Sequence, residues 1–164
     1  MIRSFPKPER VAYGTHLELV LLPKLSEYLN QPIKKTTYEY SLLDFSGQHF
    51  WAELKVRTSD YHYSDPKIKE EGWLIPACKI RQAQLEYYLN KKDVYFFYLW
   101  ERDSSLWVYK YNPQDFVALK SRIPQWHLDK QHHYFLPESC WKLISFLKID
   151  YPKRHNKCLI SDDD

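Results

Sequence analysis

The chain has 164 residues and a formal net charge of +3, which is enough length for one domain with a substantial core and permits, without requiring, binding to a polyanion. Only 3 glycines are present, which excludes a glycine-rich phosphate loop, and no P-loop, Gly-x-Ser-x-Gly or HExxH pattern occurs. The 3 cysteines are far apart and form no CxxC pair, which argues against a disulfide framework and a zinc knuckle.

The first predicted element is a helix over residues 9–30. Pro6 and Pro8 precede it, and proline suits the first turn of a helix. Apolar residues then recur at intervals of three, four and their multiples, as on one buried helical face: Val11, Leu17, Leu21, Leu25 and Tyr28. Pro23 should kink this helix or divide it in two.

A β-hairpin is predicted next. Residues 33–45 are rich in Thr, Tyr and Leu, which favour strands, and Gly47 marks a turn. Residues 49–58 then alternate, so that Phe50, Ala52, Leu54 and Val56 point to one face of the sheet. The opposite face carries Trp51, Glu53, Lys55 and Arg57.

The rest of the chain predicts a long loop (59–76), a helix (78–90) and a second hairpin with strands at 94–100 and 106–111. Ile80, Leu85 and Leu89 would form the apolar stripe of that helix. Further on, residues 113–119 read as a short helix or strand, 133–136 as a strand and 137–147 as a helix. The order predicts one α/β (α+β) domain over residues 1–150, with helices flanking a central mixed sheet, and a loosely ordered charged tail over 151–164.

Glu53 and Lys55 lie two residues apart on one predicted strand, so both leave the same face, although such a pair is ordinary on a solvated strand. Asp44 on the preceding strand adds a geometric argument. A tight turn would pair Asp44 with His49 and leave Glu53 roughly 13 Å away. A four-residue turn over residues 47–50 would place Asp44 opposite Glu53, with the two Cβ atoms about 5 Å apart.

In the second register the two carboxylates repel each other, and a hard, oxygen-seeking cation relieves that repulsion. Mg²⁺ suits such a site because it binds one or two carboxylates and keeps several waters; Mn²⁺ could replace it. A lysine beside the pair can hydrogen-bond the attacking water and the reacting phosphate. This register therefore predicts a magnesium site.

An acidic residue, a short spacer and Glu-x-Lys on adjacent strands resemble the PD-(D/E)XK nuclease superfamily. The match is Asp44, eight intervening residues and then Glu53-Leu54-Lys55, and the resemblance spans roughly residues 9–111. Leu43 stands where the name-giving proline would be. The resemblance implies a restriction-endonuclease-like core and a Mg²⁺-dependent endonuclease that hydrolyses phosphodiester bonds, with DNA preferred.

The same resemblance implies roles for individual residues. Asp44, Glu53 and the Leu54 carbonyl would hold the metal, and Lys55 would orient or help activate the attacking water. Glu18, in the first helix, would assist through a second ion or its water shell; alternatively it is a boundary glutamate that needs a polar partner. Gln84, one position before Leu85, would approach the site from the second helix.

Four further residues are predicted to contact nucleic acid. Arg57 shares the face of Glu53 and could hold a neighbouring phosphate, or form a salt bridge at the rim. Lys79 could approach a phosphate from the helix start, and Tyr61 and Tyr63 could stack on bases. For each of these residues ordinary surface or core packing is the alternative.

Two other functions stay open from the sequence. One is a catalytically inactive nucleic-acid-binding module on the same fold, and the other is a protein-interaction domain with an aromatic surface. The N-terminus has no apolar signal core and no apolar run approaches about 18 residues, so we expect a soluble intracellular protein, cytoplasmic or nuclear, without a membrane. A homodimer would suit a double-strand cutter, but no residue demonstrates one.

Overall fold

The computed structural model describes residues 8–36, 43–124 and 131–149 of the chain, with side chains from residue 14 onward. Three α-helices lie in these ranges: α1 (Pro8–Leu29), α2 (Pro66–Glu71) and α3 (Ala77–Tyr88). The strands are β1 (Lys34–Lys35), β2 (Phe45–Ser46), β3 (Phe50–Arg57), β4 (Trp73–Pro76), β5 (Asp93–Trp100), β6 (Ser105–Lys110), β7 (His133–Leu136) and β8 (Lys142–Phe146). Pro113–Phe116 and Glu138–Cys140 form single 3₁₀ turns.

A six-stranded mixed sheet organises the fold, with strands in the order β1-β2-β3-β5-β6-β8. Strands β3 and β5 are parallel, and the other neighbours in this sheet are antiparallel. Strands β4 and β7 form a separate antiparallel pair. The predicted fold class, a mixed α/β domain with a central mixed sheet and helices, is therefore confirmed.

The parallel pairing of β3 with β5 explains why a long segment, residues 58–92, separates these two strands. Two parallel neighbours need a long crossover, because the chain must return to the end at which it started. Here α2, β4 and α3 supply that crossover, and α3 packs against both β4 and β5. The site-bearing strand β3 thus lies between its hairpin partner β2 and the parallel strand β5.

Both faces of the central sheet are covered. On one face the helix α1 packs Leu17, Leu21 and Leu25 onto apolar residues of β3 and β5. On the other face α3, β4 and Trp141 enclose an aromatic cluster, whose fully buried members are Trp73, Tyr98 and Trp100. The odd-numbered residues of β3, which the sequence places opposite its apolar side, therefore face this cluster.

Two predictions about the helices can be compared with the structure. Helix α1 continues through Pro23, so of the two predicted effects of this proline the division does not occur. In α3 the predicted apolar stripe is confirmed at Ile80, which is buried, but is wrong at Leu85 and Leu89, which are 50% and 73% exposed. The inward residues are Ala77, Ile80, Ala83 and Glu86. Small alanines allow α3 to approach the bulky aromatic cluster closely, and this packing decides the buried face.

Two predicted segments have a different secondary structure. Residues 59–76 are not one loop, because they contain α2 and β4; strand β4 finds its partner β7 some sixty positions along the chain. Residues 137–147 are not a helix, because β8 adds to the edge of the sheet beside β6. In both cases a partner distant in sequence supplies the hydrogen bonds. The prediction of one strand over residues 33–45 is also wrong, because β1 and β2 at its two ends pair antiparallel with each other. Its residues 37–42 and the predicted 151–164 tail lie outside the described residues.

The two glycines Gly72 and Gly14 give a matched test of this backbone. Gly72 ends α2 at φ 98° and ψ −177°, and a Cβ there would lie 2.8 Å from the Leu136 carbonyl oxygen. We expect Gly72→Ala to lower the free energy of unfolding by about 1–3 kcal/mol, since this backbone region is essentially restricted to glycine. Gly14, in α1, has open space around it.

Gly14→Ala is the control, and it should stabilise the protein by up to about 1 kcal/mol through helix propensity. Urea denaturation of the two variants and the parent measures both changes. A Gly72→Ala protein as stable as the parent would contradict the close approach of α2's end to β7.

Candidate metal and catalytic site

The register of the β2–β3 hairpin brings two carboxylates opposite each other. Phe45 pairs with Ala52 and Ser46 pairs with Trp51, so the next position places Asp44 across from Glu53. The Gly47 N–H donates to the Phe50 carbonyl at 3.0 Å and closes the turn. Of the two registers that the sequence allows, the structure therefore has the one that brings the two carboxylates together.

Asp44 is held through both its main chain and its side chain. Thr36 donates to the Asp44 carbonyl from its backbone N–H at 2.8 Å and from its hydroxyl at 2.9 Å. The Asp44 carboxylate accepts the backbone N–H of Leu54 at 2.9 Å. This bond lies just beyond Phe45–Ala52, the last backbone pair between β2 and β3. The Asp44 side chain therefore accepts the next N–H of β3 in place of a backbone carbonyl.

The same bond places the Leu54 main chain on the side of Asp44. On β3's other edge the carbonyls of His49 and Arg57 accept from Asp93 and Glu101, at 3.2 and 3.0 Å. Odd-numbered residues thus direct their main-chain groups to β5, and even-numbered residues direct theirs to β2. The Leu54 carbonyl therefore points to the edge on which the Asp44 carboxylate lies.

Glu53 is largely buried beneath the first turn of α3. Its side chain is 13% exposed, and its Oε1 accepts from Lys79 Nζ at 3.0 Å. Its Oε2 is buried without a hydrogen-bond partner among the described residues. Burial, and then the neighbouring charge of Asp44, raise the pKa of Glu53 well above its ordinary value.

Lys79 partly neutralises the negative charge of Asp44 and Glu53. Burial alone would lower the pKa of Lys79, but the carboxylates of Glu53 and Asp44 outweigh it and leave the pKa raised. The lysine therefore stays charged at neutral pH. Helix α3 positions this side chain, since residue 79 lies in its first turn.

Glu18 joins the cluster from α1. Burial, followed by the charge of Asp44, raises the pKa of Glu18, and Lys35 of β1 donates a hydrogen bond to its Oε2. The prediction that Glu18 needs a polar partner thus finds that partner in Lys35. Sequence reasoning missed Lys35, and its only signal was the Lys34-Lys35 pair at a strand start, where one side chain must face inward.

Lys55 shares a small crevice with Glu53 on the α3 side of the sheet. Both residues line it together with Leu74, Ile75, Pro76, Phe96, Phe97, Tyr98 and Trp141. Mostly apolar walls lower the local dielectric, so charges in the crevice interact more strongly than they would in water. The charges of Glu18, Asp44, Glu53 and Lys79 thus act on one another. Lys55 lines the crevice beside Glu53.

Gln84 does not join the site, and its predicted place near the inner face of α3 is wrong. The side chain is exposed, next to the exposed Leu85. The reason is the orientation of α3 on the sheet: the helix face that carries Ile80 and Ala83 is buried, and Gln84 lies on another face. Gln82, partly buried, instead donates to Glu86 within the helix at 3.2 Å.

The predicted nucleic-acid contacts differ in how accessible they are. Arg57 is only 7% exposed, and its guanidinium lies 4.9 Å from the centre of the Tyr61 ring. Tyr61 itself is 39% exposed. The Tyr63 ring packs against Trp73 and Trp107, and its hydroxyl donates to a carboxylate, so it belongs to the edge of the aromatic cluster.

The oxygen atoms at this site suit a hard divalent cation by their chemical type, but only a few protein groups supply them. Among the described residues no group of three or more His, Cys, Asp or Glu side chains is arranged to hold a metal ion. Two opposed carboxylates and a backbone carbonyl would serve Mg²⁺, which fills its other positions with water and substrate phosphate. The buried, unpartnered Oε2 of Glu53 supports this fit, since such an oxygen requires a cation or a donor.

A second polar network fixes the loop that follows β3, and sequence reasoning missed it. His62 Nε2 lies 2.9 Å from Asp103 Oδ2, and the Tyr63 hydroxyl donates to the same oxygen at 2.7 Å. Ser105 donates to Asp103 Oδ1 from its hydroxyl at 2.6 Å and from its backbone N–H at 3.1 Å. The loop carrying Tyr61 is thereby tied to the β5–β6 turn.

The tautomer of His62 follows from its neighbours. The backbone N–H of Ser64 donates to His62 Nδ1 at 3.2 Å, so Nδ1 acts as an acceptor. The proton of the neutral ring is therefore on Nε2, which donates to Asp103. Burial would raise the pKa of Asp103, but the bonds from Ser105, His62 and Tyr63 outweigh it and leave the pKa below its ordinary 3.8.

This shift predicts how acid affects stability. Because the folded-state pKa of Asp103 is depressed, the group stabilises the fold above about pH 4, and that contribution disappears as pH falls through the depressed value. We expect Asp103→Asn to lower the melting temperature at pH 7 and to make stability less sensitive to pH below about 4. The exposed Asp60→Asn, on the same loop, is the control and should behave as the parent. Equal pH profiles for both variants would contradict the assigned network.

Comparisons of the chain with protein-family models, with curated proteins and with solved structures find no match. No described helix combines the length and the apolar character needed to cross a membrane. The geometry around Asp44 and Glu53 is therefore the basis on which a function can be proposed.

Proposed function

We propose that the chain is a metal-dependent nuclease of the PD-(D/E)XK type that hydrolyses phosphodiester bonds in nucleic acid, with DNA preferred. The observation that carries this proposal is the hairpin register, which places Asp44 directly opposite Glu53. Lys55 follows two residues later on the same face of β3. Two carboxylates can hold a divalent cation that activates a water, and an adjacent lysine can orient that water.

The arrangement of the elements supports the same proposal. The resemblance depends on a helix, a hairpin that bears the motif, a second helix and a further hairpin, in that order. The described chain has α1, β2–β3, α3 and β5–β6, with β3 and β5 adjacent in one mixed sheet. The motif therefore lies near the middle of the sheet, where packing on both faces holds its side chains.

The chain's own residues would each have a defined task. Asp44, Glu53 and the Leu54 carbonyl would hold Mg²⁺, which when bound polarises the phosphate and lowers the pKa of a bound water. Lys55 would donate a hydrogen bond to that water or to the phosphate and orient it for attack. Glu18, beside Asp44, would accept hydrogen bonds from the metal's water shell.

Substrate contacts would come from the loop after β3. Tyr61 presents an exposed ring whose position is set by the Arg57 guanidinium, and such a ring can stack on a base of any sequence. Arg57 is buried beneath the ring and would act through Tyr61. The anchored loop would keep this platform at a constant distance from the crevice.

The decisive test is cleavage of labelled single-stranded, duplex and branched DNA, and of RNA, in Mg²⁺, Mn²⁺ or EDTA. We expect Lys55→Ala to reduce the cleavage rate by about 10²–10⁴-fold, since it removes a group that positions the proton transfer. Substrate binding should be largely retained. Lys69→Ala, an exposed lysine on α2, is the matched control and should cut at the parent rate.

The other outcomes point elsewhere. Unchanged turnover in Lys55→Ala would overturn the assigned role of that lysine. Nucleic-acid binding without any cutting would indicate an inactive binding module on this fold. Neither cutting nor binding would indicate a protein-interaction domain, whose aromatic residues serve a protein partner.

A further inference from the structure

One ion pair bears on both the metal site and the substrate site. Lys79 Nζ lies 3.0 Å from Glu53 Oε1, and the two side chains are only 19% and 13% exposed. The negative charge of Asp44 also attracts the Lys79 ammonium group. It therefore neutralises part of the very charge on which a divalent cation at Asp44 and Glu53 would depend.

A bound divalent cation and the Lys79 ammonium would compete for the same carboxylates. In a largely buried site, two cations beside one carboxylate repel each other strongly, because little water screens them. The ion carries twice the charge of the lysine and would contact both carboxylates. Its binding would therefore displace the ammonium group from Glu53.

A displaced Lys79 would remain beside the site. Its main chain lies in the first turn of α3, so only its four-carbon side chain can turn away from Glu53. Burial disfavours an unpaired ammonium group, so it needs a new anionic partner. A substrate phosphate held by the metal is an anion within reach of that side chain.

We propose that Lys79 exchanges partners during binding, from Glu53 in the metal-free protein to a substrate phosphate in the metal-bound protein. This inference rests on the proposed function and adds a coupling to it. Metal binding would prepare the phosphate contact, and phosphate binding would in turn favour the metal, since such coupling is reciprocal. Lys35 takes no part in this exchange, because its carboxylate partner is Glu18.

The coupling can be measured without cleavage. In a Lys55→Ala background, a labelled DNA duplex is titrated with protein in Mg²⁺ and in EDTA. We expect Mg²⁺ to tighten duplex binding by about tenfold, within the range common for coupled sites. Lys79→Met added to this background should reduce the ratio to the smaller part that the metal's own contact with the phosphate contributes. Arg81→Met removes an exposed charge from the same helix and should leave the ratio unchanged.

A second experiment does not depend on the stability of Lys79→Met. Glu53→Gln removes the charge that holds Lys79, so we expect tighter duplex binding in EDTA, by about the part of the Mg²⁺ effect that Lys79→Met removes. The double variant Glu53→Gln/Lys79→Met should lose this gain. Thermal melting of each variant verifies that it is folded at the assay temperature.

The results separate this inference from the proposed function. A Mg²⁺ effect on binding that is as large in Lys79→Met as in the Lys55→Ala background, or no gain in Glu53→Gln, would overturn the exchange. Coupling that depends on Lys79, in a chain that cuts no substrate, would support the exchange and overturn the nuclease proposal. Cutting without Lys79-dependent coupling would leave the nuclease proposal intact and overturn the exchange alone.

Discussion

The parallel pairing of β3 with β5 is the constraint on which the other features depend. It obliges the chain to cross over between the two strands, and the crossover places α3 above one face of the sheet. That face carries the odd-numbered side chains of β3, including Glu53. As a result a carboxylate that would lie in water on a simple hairpin is instead covered by a helix whose first turn supplies Lys79.

Burial then gives these charges their properties. In water an aspartate, a glutamate and a lysine a few ångströms apart interact weakly, but removal of solvent strengthens their interaction and penalises any charge left unpaired. The raised pKa values of Glu53 and Glu18 have burial as their first cause and Asp44 as their second. Glu18, Asp44 and Glu53 repel one another when all three are ionised. Lys79 lowers this repulsion, and a divalent cation would lower it in the same way.

The rest of the molecule keeps this site in one geometry. The α1 face and the aromatic cluster around Trp73 hold the sheet from both sides. Asp103 ties the loop after β3 to the β5–β6 turn through His62 and Tyr63. Tyr63 contacts Asp103 and packs at the edge of the aromatic cluster, whereas Tyr61, in the same loop, is exposed.

Local patterns determined the elements whose periodicity is strong. The alternation in β3, the apolar runs of the β5–β6 hairpin and the Leu17-Leu21-Leu25 stripe of α1 all reappear in the structure, because each is a property of neighbouring residues. The parity of β3 likewise put Glu53 and Lys55 on one face. Residues alone allowed two registers for Asp44, and the structure has the one whose turn is closed by the bond from the Gly47 N–H to the Phe50 carbonyl.

What depends on contacts distant in sequence was decided only by the tertiary structure. Strands β4 and β8 exist because β7 and β6 complete their hydrogen bonds, and no local pattern distinguishes such segments from a loop or a helix. The rotation of α3, which turned Gln84 outward and Lys79 inward, follows from its fit against the aromatic cluster. The sequence by itself thus determined which residues could form the site, and three-dimensional packing decided which of them meet, because burial and strand pairing are properties of the whole fold.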